Sequence, residues 1–462
     1  MAVYHTYSSI KMMNLGRLHG KRSPKDEITT SFIGRPGMLK IAQSISDLRQ
    51  TKFVNHLPQW LNNAIVALIA LFIFVIPFHF NTSIQEVCFY TALACALLLT
   101  TLKQKAFSLQ SPLTVPFALL VIWAFIGLFF ALNKENSITD FYGHLLKYLI
   151  LFYLMINFFD TKRRFILIAW ILISSTTIFT FGLIAYFYFI SGNPLSGKLL
   201  SVDIPVNILS VVTIFPCLLT ANTFFRTKSL SLRIILIFCL FTIALSIILT
   251  GSRFSVSVLV LSMAPFFISH KKGAILLTII IIILVFCLPV KSRFVTSDFM
   301  NNIKNDPRLF LSNPFVEMIK THPLTGIGFG LDTYADKKLI EKYNEKLEKT
   351  ARLGEGGRLL FYYPHNIYID IAARLGIVGL LIFFYIVFTY FRTGWLIMRR
   401  SRDDFLRSWS LCLMTSFFAL LVIGIFESFL GFSVSIVLYI QCAMMMILWR
   451  LHCQDQKIET LS

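Results

Sequence analysis

Long apolar segments recur along the chain and are separated mostly by short polar connections. About 20 consecutive apolar residues let a helix cross the hydrocarbon core of a membrane. These segments lack the ten-residue alternation of apolar and polar residues that is typical of outer-membrane barrels, so the pattern predicts helices. Twelve spanning helices are predicted, at residues 63–80, 84–102, 113–132, 142–159, 165–190, 204–222, 232–250, 254–269, 274–290, 366–391, 408–426 and 429–449.

The amino-acid composition supports this interpretation. Hydrophobic residues make up 56% of the 462 residues and charged residues only 14%, whereas a soluble protein carries about 25% charged residues. The expected fold is therefore an all-α polytopic membrane protein, with about 12 transmembrane helices and one large periplasmic loop that contains short helices.

The formal net charge of +20 is concentrated in every second connection between the predicted helices. Cytoplasmic loops of membrane proteins are enriched in lysine and arginine, so this alternation predicts that both termini are cytoplasmic. The basic residues concerned are Lys103, Lys105, Lys162, Arg163, Arg164, Arg226, Lys228, Arg233, Lys271, Lys272, Arg392, Arg399, Arg400, Arg402 and Arg407. Because membrane topology explains most of the charge, membrane lipids are expected as partners and nucleic acid is not.

The predicted helices divide the chain into five parts. Residues 1–61 are polar and basic and lack the apolar core and cleavage site of a signal peptide, so a cytoplasmic N-terminal arm is predicted. Residues 62–290 contain predicted helices 1–9, and residues 365–450 contain predicted helices 10–12. Residues 451–462 form a predicted cytoplasmic tail, and residues 291–364 are the one long connection, on the non-cytoplasmic side.

The long connection carries its own helix signals. Residues 308–321 have an amphipathic pattern that ends near Pro323 and a glycine-rich turn. Residues 333–357 combine helix-forming residues, opposite charges at i,i+4 spacing and terminal glycines, a pattern typical of a helix and its stop. Long loops without structure of their own are uncommon unless they are functional. Two or three short helices are therefore predicted to form a cap over the membrane domain.

Several polar groups are expected at the non-cytoplasmic ends of the predicted helices. Arg253 lies in the turn TGSRF, on the side where arginine is disfavoured, and a guanidinium group suits phosphate or pyrophosphate. Arg308 lies in the long connection, and His365 and Asn366 begin predicted helix 10. Structural explanations also exist for each, such as an interfacial anchor for Arg253 or a helix N-cap for Asn366. His144 and Lys147 enter predicted helix 4.

Other polar or small residues in these helices favour structural roles. Asp370 and Arg374 lie four residues apart, so they are predicted to neutralise each other on one helix face. Gly376 and Gly379 are predicted to provide a small face for close helix packing. Glu427, in the turn FESFLGF, is assigned no role at this stage.

Three segments together resemble the O-antigen ligase and polymerase superfamily of bacterial envelope glycosyltransferases. PHNIYIDIAARLGIVG is similar to the ligase pattern of His, then Asn, Ser or Gln, nine residues and GxxG. LTGSRFSVSVLVL resembles the family's Ser-Arg turn at the start of a membrane helix. DPRLFLSNPFVEMIKTHPLTGIGFG resembles a segment in which an arginine precedes HPxxGxGxG. The resemblance runs from about residue 235 to 390, in the order and spacing of the family.

The resemblance to O-antigen ligases implies a reaction and a place for it. A glycan would pass from undecaprenyl pyrophosphate to a lipid A-core oligosaccharide at the periplasmic face of the bacterial inner (cytoplasmic) membrane, with inversion and without metal, nucleotide sugar or cofactor. Arg253 and Arg308 would stabilise charge on the departing pyrophosphate. His365 would position or deprotonate the acceptor hydroxyl. The expected substrate-binding residues are Asn366, Lys147 and His144.

Alternatives within and outside the superfamily remain. The ligase arginine motif places leucine four residues after the arginine, whereas Ser257 and Ser312 follow Arg253 and Arg308 at that distance. This departure leaves open an O-antigen polymerase or a protein O-oligosaccharyltransferase. A twelve-helix solute or anion transporter is a more remote alternative, because transporters usually bind solutes near the bilayer midplane at paired interrupted helices.

Overall fold

A computed structural model of the protein describes residues 52–78, 82–194, 197–199, 206–266, 273, 279, 312–335, 337–345, 364–428, 430 and 435–461. In these residues the regular structure is helical, with no strand, which confirms the all-α prediction. Met1–Leu57 and Pro58–Ser462 are separate units. The first of these is described only from residue 52 onward, where the first helix begins.

The described helices follow the predicted apolar segments. In chain order they are α1 (Lys52–Val75), α2 (Thr82–Thr101), α3 (Thr114–Phe130), α4 (Lys134–Phe158), α5 (Lys162–Ile190), α6 (Val206–Arg226), α7 (Leu230–Leu249), α8 (Arg253–Met263), α9 (Asn313–Thr321), α10 (Lys337–Glu345), α11 (Ile367–Arg400), α12 (Asp404–Ile423) and α13 (Ile436–Leu461). Helix α4 contains a π-helical turn at Phe141–Leu146, and α5 ends in another at Ala185–Ile190.

Within the described residues, nine helices are long and apolar enough to cross a membrane, and α3 and α8 are shorter apolar helices. Together they correspond to eleven of the twelve predicted segments. Apart from residue 279, the predicted helix at 274–290 lies outside the described residues, so the count of twelve stays a prediction. The helices nevertheless define a multi-pass membrane protein.

Burial differs strongly between the helices. In the most apolar 18 residues of α6, 89% are buried, whereas the corresponding share in α2 is 28%. Helix α6 packs against α5, α7 and α12, and α11 packs against α3, α12 and α13. Large apolar side chains such as Val87 on α2 and Ile234 and Phe238 on α7 are exposed. Exposed apolar surface of this extent fits contact with lipid.

Helix α11 is interrupted at Gly376, whose backbone (φ 70°, ψ −176°) is not helical. The segment from Pro323 to Gly328 fills the break. Ile377 N–H donates to the carbonyl of Pro323 at 2.8 Å, while the N–H groups of Ile327 and Gly328 donate to the carbonyls of Ala373 and Arg374 at 2.9 and 3.0 Å. Non-helical backbone is tolerated at membrane depth where protein satisfies its polar groups in this way.

The break explains why glycine occupies position 376. A Cβ atom there would lie 1.8 Å from the carbonyl oxygen of Leu324, and a Cβ at Gly326 would lie 2.4 Å from the carbonyl of Arg374. Both residues also have positive φ angles, which glycine adopts without strain. The sequence predicted a helix-packing face at Gly376; its observed role is instead to let a loop backbone approach the helix backbone.

The described part of the long connection contains α9, a 3₁₀ turn at Leu331–Ala335 and α10. One buried apolar cluster joins these elements to α11. It consists of Phe315 and Met318 of α9, Ile327 of the loop that follows α9, Tyr343 of α10 and Ala373 of α11. The amphipathic face of α9 therefore packs on the first half of α11. Residues 291–311 and 346–363, which include Arg308, lie outside the described residues.

Candidate active site

His365 and Glu427 form a buried acid–base pair at one end of the helices. His365 immediately precedes the N-cap of α11, and Glu427 lies in the turn that follows α12. Nδ1 of His365 is 3.3 Å from Oε1 of Glu427. Only 6% of His365 and 2% of Glu427 is exposed. An imidazole held against a carboxylate is an arrangement that serves proton transfer.

The turn that carries His365 and the turn that carries Glu427 are joined by hydrogen bonds to backbone carbonyls. Asn366 caps α11, since its Oδ1 accepts from the N–H groups of Tyr368 and Ile369 at 2.9 and 3.0 Å. Its Nδ2 donates to the carbonyl of Ile425 at 3.0 Å. Ile367 N–H donates to the carbonyl of Gly424 at 2.8 Å. Asn366 thus holds the turn of Glu427 against that of His365, and its contact with substrate stays a prediction.

His365 itself has a strained backbone, with φ of 48°. A non-glycine residue in this left-handed region is disfavoured by about 1–3 kcal/mol and persists only where its surroundings determine the conformation. The cap at Asn366 and the turn beyond α12 supply such surroundings. This backbone conformation sets the direction in which the imidazole side chain leaves the backbone.

Asp370 and Arg374 form a second ionic pair on the next turns of α11. Arg374 Nε donates to Asp370 Oδ1 at 2.6 Å, its Nη2 donates to the carbonyl of Leu331 at 3.1 Å, and its Nη1 donates to the carbonyl of Gly330. Ser428 donates to the other carboxylate oxygen of Asp370. These contacts confirm the predicted pairing and extend it to the loop and to the turn after α12. The pair therefore holds three segments together.

Arg253 is the first residue of α8 and is half-buried. Ser252 caps this helix, with its hydroxyl 3.4 Å from the N–H of Ser255. The ring of Phe254 packs edge-on against that of Phe426, with centroids 4.4 Å apart. Phe426 directly precedes Glu427, so the turn that carries Arg253 lies beside the turn that completes the His365 pair.

Lys147 and His144 lie in α4, in and just after its π-helical turn. Lys147 forms an ion pair with Glu86 of α2, and its Nζ lies 5.7 Å from the ring centroid of Phe89. Nε2 of His144 is 3.4 Å from Asp140 Oδ1, and its Nδ1 is 3.3 Å from the hydroxyl of Tyr148. Both side chains thus have protein partners, and their predicted contact with phosphate stays a prediction.

A second network ties α4 to the long connection. Asp140 Oδ2 accepts from the N–H of Leu331 at 2.6 Å and from Nδ2 of Asn136 at 2.9 Å. Leu331 in turn accepts from Arg374. His144 therefore reaches Arg374 through Asp140 and the loop backbone. It does not form part of the His365–Glu427 pair.

A mainly apolar cavity lies between α3, α4, α11 and α13. Its volume is about 70 Å³. Side chains of Phe117, Tyr148, Phe383 and Tyr439 line it, and His144 and Arg374 contribute polar atoms to its wall. Ligand sites in proteins are commonly apolar cavities of about 300–1,000 Å³ with a few polar groups, so this cavity has the lining of a ligand site but a smaller volume.

The carboxylates that pair with His365 and Lys147, those of Glu427 and Glu86, were not predicted from the sequence. The available signal was position: both are acids within or beside apolar segments, where ionisable side chains are rare and usually paired. Which basic residue each would meet depends on helix packing and not on local sequence.

The fold and these buried ionic groups define a multi-pass membrane protein with a candidate active site at one end of its helices. Residues 238–384, about a third of the chain, match a family model described as O-antigen ligase. The match includes Arg253, Arg308, His365 and Gly376, and confirms the resemblance over these residues. The matched segment is thus similar to a superfamily of glycosyltransferase-like ligases and polymerases. Comparison with curated proteins gives no match.

Proposed function

We propose that the protein is a membrane glycosyltransferase of the O-antigen ligase type. It transfers a glycan from undecaprenyl pyrophosphate to a lipid A-core acceptor, with inversion and without a metal ion. The observation that carries the proposal is the buried His365–Glu427 pair beside the turn of Arg253, within or adjoining the matched domain. A base and a guanidinium group at one helix end are the two groups that this transfer needs.

The proposed chemistry uses these groups in one step. The acceptor hydroxyl oxygen attacks the anomeric carbon from the face opposite the leaving group, and its proton passes to His365. The bond between the anomeric carbon and the pyrophosphate oxygen breaks, and its electron pair remains on undecaprenyl pyrophosphate. Arg253 and Arg308 stabilise that charge, because preorganised donors are worth most where charge develops.

The remaining predicted residues take supporting roles. Asn366 contacts substrate through the face of the turn that it caps, and Lys147 and His144 contact the donor from α4. The positive-inside distribution supports a location in the bacterial inner membrane with both termini cytoplasmic. The end of the helices that carries His365 then faces the periplasm. This is the side on which the 291–364 loop is predicted.

A second candidate within the superfamily has a specific observation in its favour. Ser257 stands where the ligase motif has leucine, and its hydroxyl donates to the carbonyl of Arg253 at 3.0 Å on an exposed face of α8. The departure favours a polymerase or a protein O-oligosaccharyltransferase. These enzymes would use the same lipid-linked donor and the same residues Arg253, Arg308 and His365, but a different acceptor.

The more remote transporter alternative also has one observation in its favour, the interruption of α11. Broken helices in transporters expose backbone groups to the solute. In α11 the groups around Gly376 instead bond the loop at 323–328 and the indole N–H of Trp123, which donates to the carbonyl of Leu375 at 2.8 Å. The break is therefore better suited to anchoring a loop than to binding a solute.

Purified protein in lipid vesicles tests the proposal. It is given a lipid-linked glycan and, separately, lipid A-core, a lipid-linked repeat or a serine-containing peptide, each with and without EDTA. Transfer to lipid A-core that EDTA does not reduce is expected. Transfer to either of the other acceptors identifies the second candidate, and no transfer to any contradicts the proposal.

Variants then test the site assignment. Alanine at Arg253, Arg308 or His365 is expected to reduce transfer at least tenfold in folded protein. Arg233→Ala is the matched control, since this exposed arginine at the start of α7 contacts only the carbonyl of Thr227 among the hydrogen bonds of the described residues. Unchanged transfer in all three alanine variants would contradict the assignment.

A further inference from the structure

We propose that Glu427 is a positioning residue that acts through His365, so that the two side chains work as one unit. This inference rests on the function proposed above. The structural basis is the 3.3 Å approach of Oε1 to Nδ1 between two nearly fully buried side chains. Glu427 does not touch the reacting atoms in this proposal. It determines how His365 meets them.

His365 is the group that compensates the negative charge of the buried Glu427 carboxylate. Within the described residues, neither carboxylate oxygen accepts a hydrogen bond, and its one ion-pair contact is with His365. A buried carboxylate without compensation is unfavourable by several kcal/mol. The pair therefore favours a proton on the imidazole nitrogen that faces the carboxylate.

The geometry of the two turns holds the Glu427 carboxylate at a fixed position relative to the His365 imidazole. Glu427 lies two residues after Ile425, whose carbonyl is held by Asn366, and one residue before Ser428, which donates to Asp370. The strained backbone of His365 is held by the same cap. Hydrogen bonds on both sides of Glu427 thus fix its carboxylate against the ring.

The arrangement assigns different roles to the two ring nitrogens. Nδ1 faces Glu427, so Nε2 is the nitrogen that takes the proton of the acceptor hydroxyl as its oxygen bonds to the anomeric carbon. Undecaprenyl pyrophosphate leaves with the electron pair of the broken bond. The Glu427 carboxylate stabilises the imidazolium that forms, as an orienting carboxylate does for other catalytic histidines.

The direct test is Glu427→Gln, which keeps the shape of the side chain and removes its charge. Its kcat for glycan transfer is expected to fall about tenfold to thousandfold, with KM for donor and acceptor within about threefold of the wild type. Glu427→Asp is expected to recover at least about tenfold of the lost kcat, because it restores the charge. Rates are normalised to folded protein measured by size exclusion, and Arg233→Ala is the control, because this exposed arginine lies outside the proposed site.

A double variant separates a joint role from an independent one. Glu427→Gln is expected to add less than about twofold to the loss caused by His365→Gln, because residues that act as a unit are not additive. Equal loss factors in both backgrounds, an unchanged kcat in Glu427→Gln, or no recovery with Asp would overturn the inference. Intact transfer in His365→Gln would also overturn the inference, whereas absence of transfer by the wild type to every acceptor would contradict the function proposed above, so the two failures are distinguishable.

Discussion

Two acid–base pairs lie at the head of α11, and they differ in how completely protein satisfies their carboxylates. Asp370 and Arg374 use both carboxylate oxygens and all three guanidinium nitrogens in contacts with α11, the long connection and the turn after α12. Oε1 of Glu427 lies 3.3 Å from Nδ1 of His365, and neither carboxylate oxygen of Glu427 accepts a hydrogen bond within the described residues. The pair with the fully bonded carboxylate holds the structure, and the pair with the less bonded carboxylate is suited to chemistry.

The largest expected loss of stability comes from breaking the Asp370–Arg374 pair. Arg374→Met leaves Asp370 charged, fully buried and without its basic partner, so unfolding should become easier by about 3–5 kcal/mol. Thermal unfolding in detergent measures the change. Arg399→Met, at an exposed position near the end of the same helix, is the control and should change little. A stable Arg374→Met protein would contradict the structural role of this pair.

The next largest expected loss of stability concerns Gly376, where α11 is interrupted and the backbone of residues 323–328 approaches it. Gly376→Ala forces a Cβ atom against the backbone of Leu324 and a side chain into positive φ, so a loss of about 3 kcal/mol in stability is expected. The control is Gly182→Ala, because a Cβ at Gly182 meets nothing within 4 Å. That change should be neutral or stabilising by up to about 1 kcal/mol. Equal unfolding temperatures for both variants would exclude the tight backbone approach.

A smaller effect is expected at the residue that joins the two turns. Asn366→Ala removes the cap of α11 and should cost about 1 kcal/mol of stability. It should also lower transfer, because the turn of Glu427 loses its hydrogen bond to Asn366. Asn366→Asp keeps the capping oxygen and loses the donor to Ile425. If Asp restores stability but not transfer, the cap and the joining contact are separate functions.

The smallest effect is expected for an ionic pair at the loop before α12. Partial burial alone would raise the pKa of Asp403, but the hydrogen bonds from Lys162 and from Phe405 N–H, with the nearby positive charges, lower it. A depressed pKa contributes stability that is complete above the ordinary value near 4 and is lost as pH falls through the folded pKa. Asp403→Asn should therefore cost about 1 kcal/mol or less at pH 7.

The same variant has a clear pH signature. The difference in unfolding temperature between the wild type and Asp403→Asn should shrink as the pH is lowered toward 3. A difference that grows on acidification would contradict the depressed pKa. This outcome would leave the two buried pairs of α11 unaffected, since Asp403 lies at the other end of that helix, beyond Arg400.

The sequence predicted the features that depend on local pattern. Apolar segments near 20 residues predicted eleven of the described helices, and i,i+4 spacing predicted the pairing of Asp370 with Arg374. The pairs of Glu427 with His365 and of Lys147 with Glu86 span about 60 residues each, and no periodicity encodes which helices meet. The break at Gly376 was missed for the same reason, because it exists to admit the backbone of Leu324 from another segment.

The central claim is that His365 acts in chemistry while the Asp370–Arg374 pair holds the fold. The most direct measurement is the turnover of His365→Gln per molecule of folded protein, with thermal unfolding measured on the same sample. The expected result is transfer at least about a hundredfold slower per molecule of protein that is still folded at the assay temperature, with a lower unfolding temperature because Glu427 loses its basic partner. Transfer at the wild-type rate, or a loss that only follows the fraction unfolded, would contradict the claim.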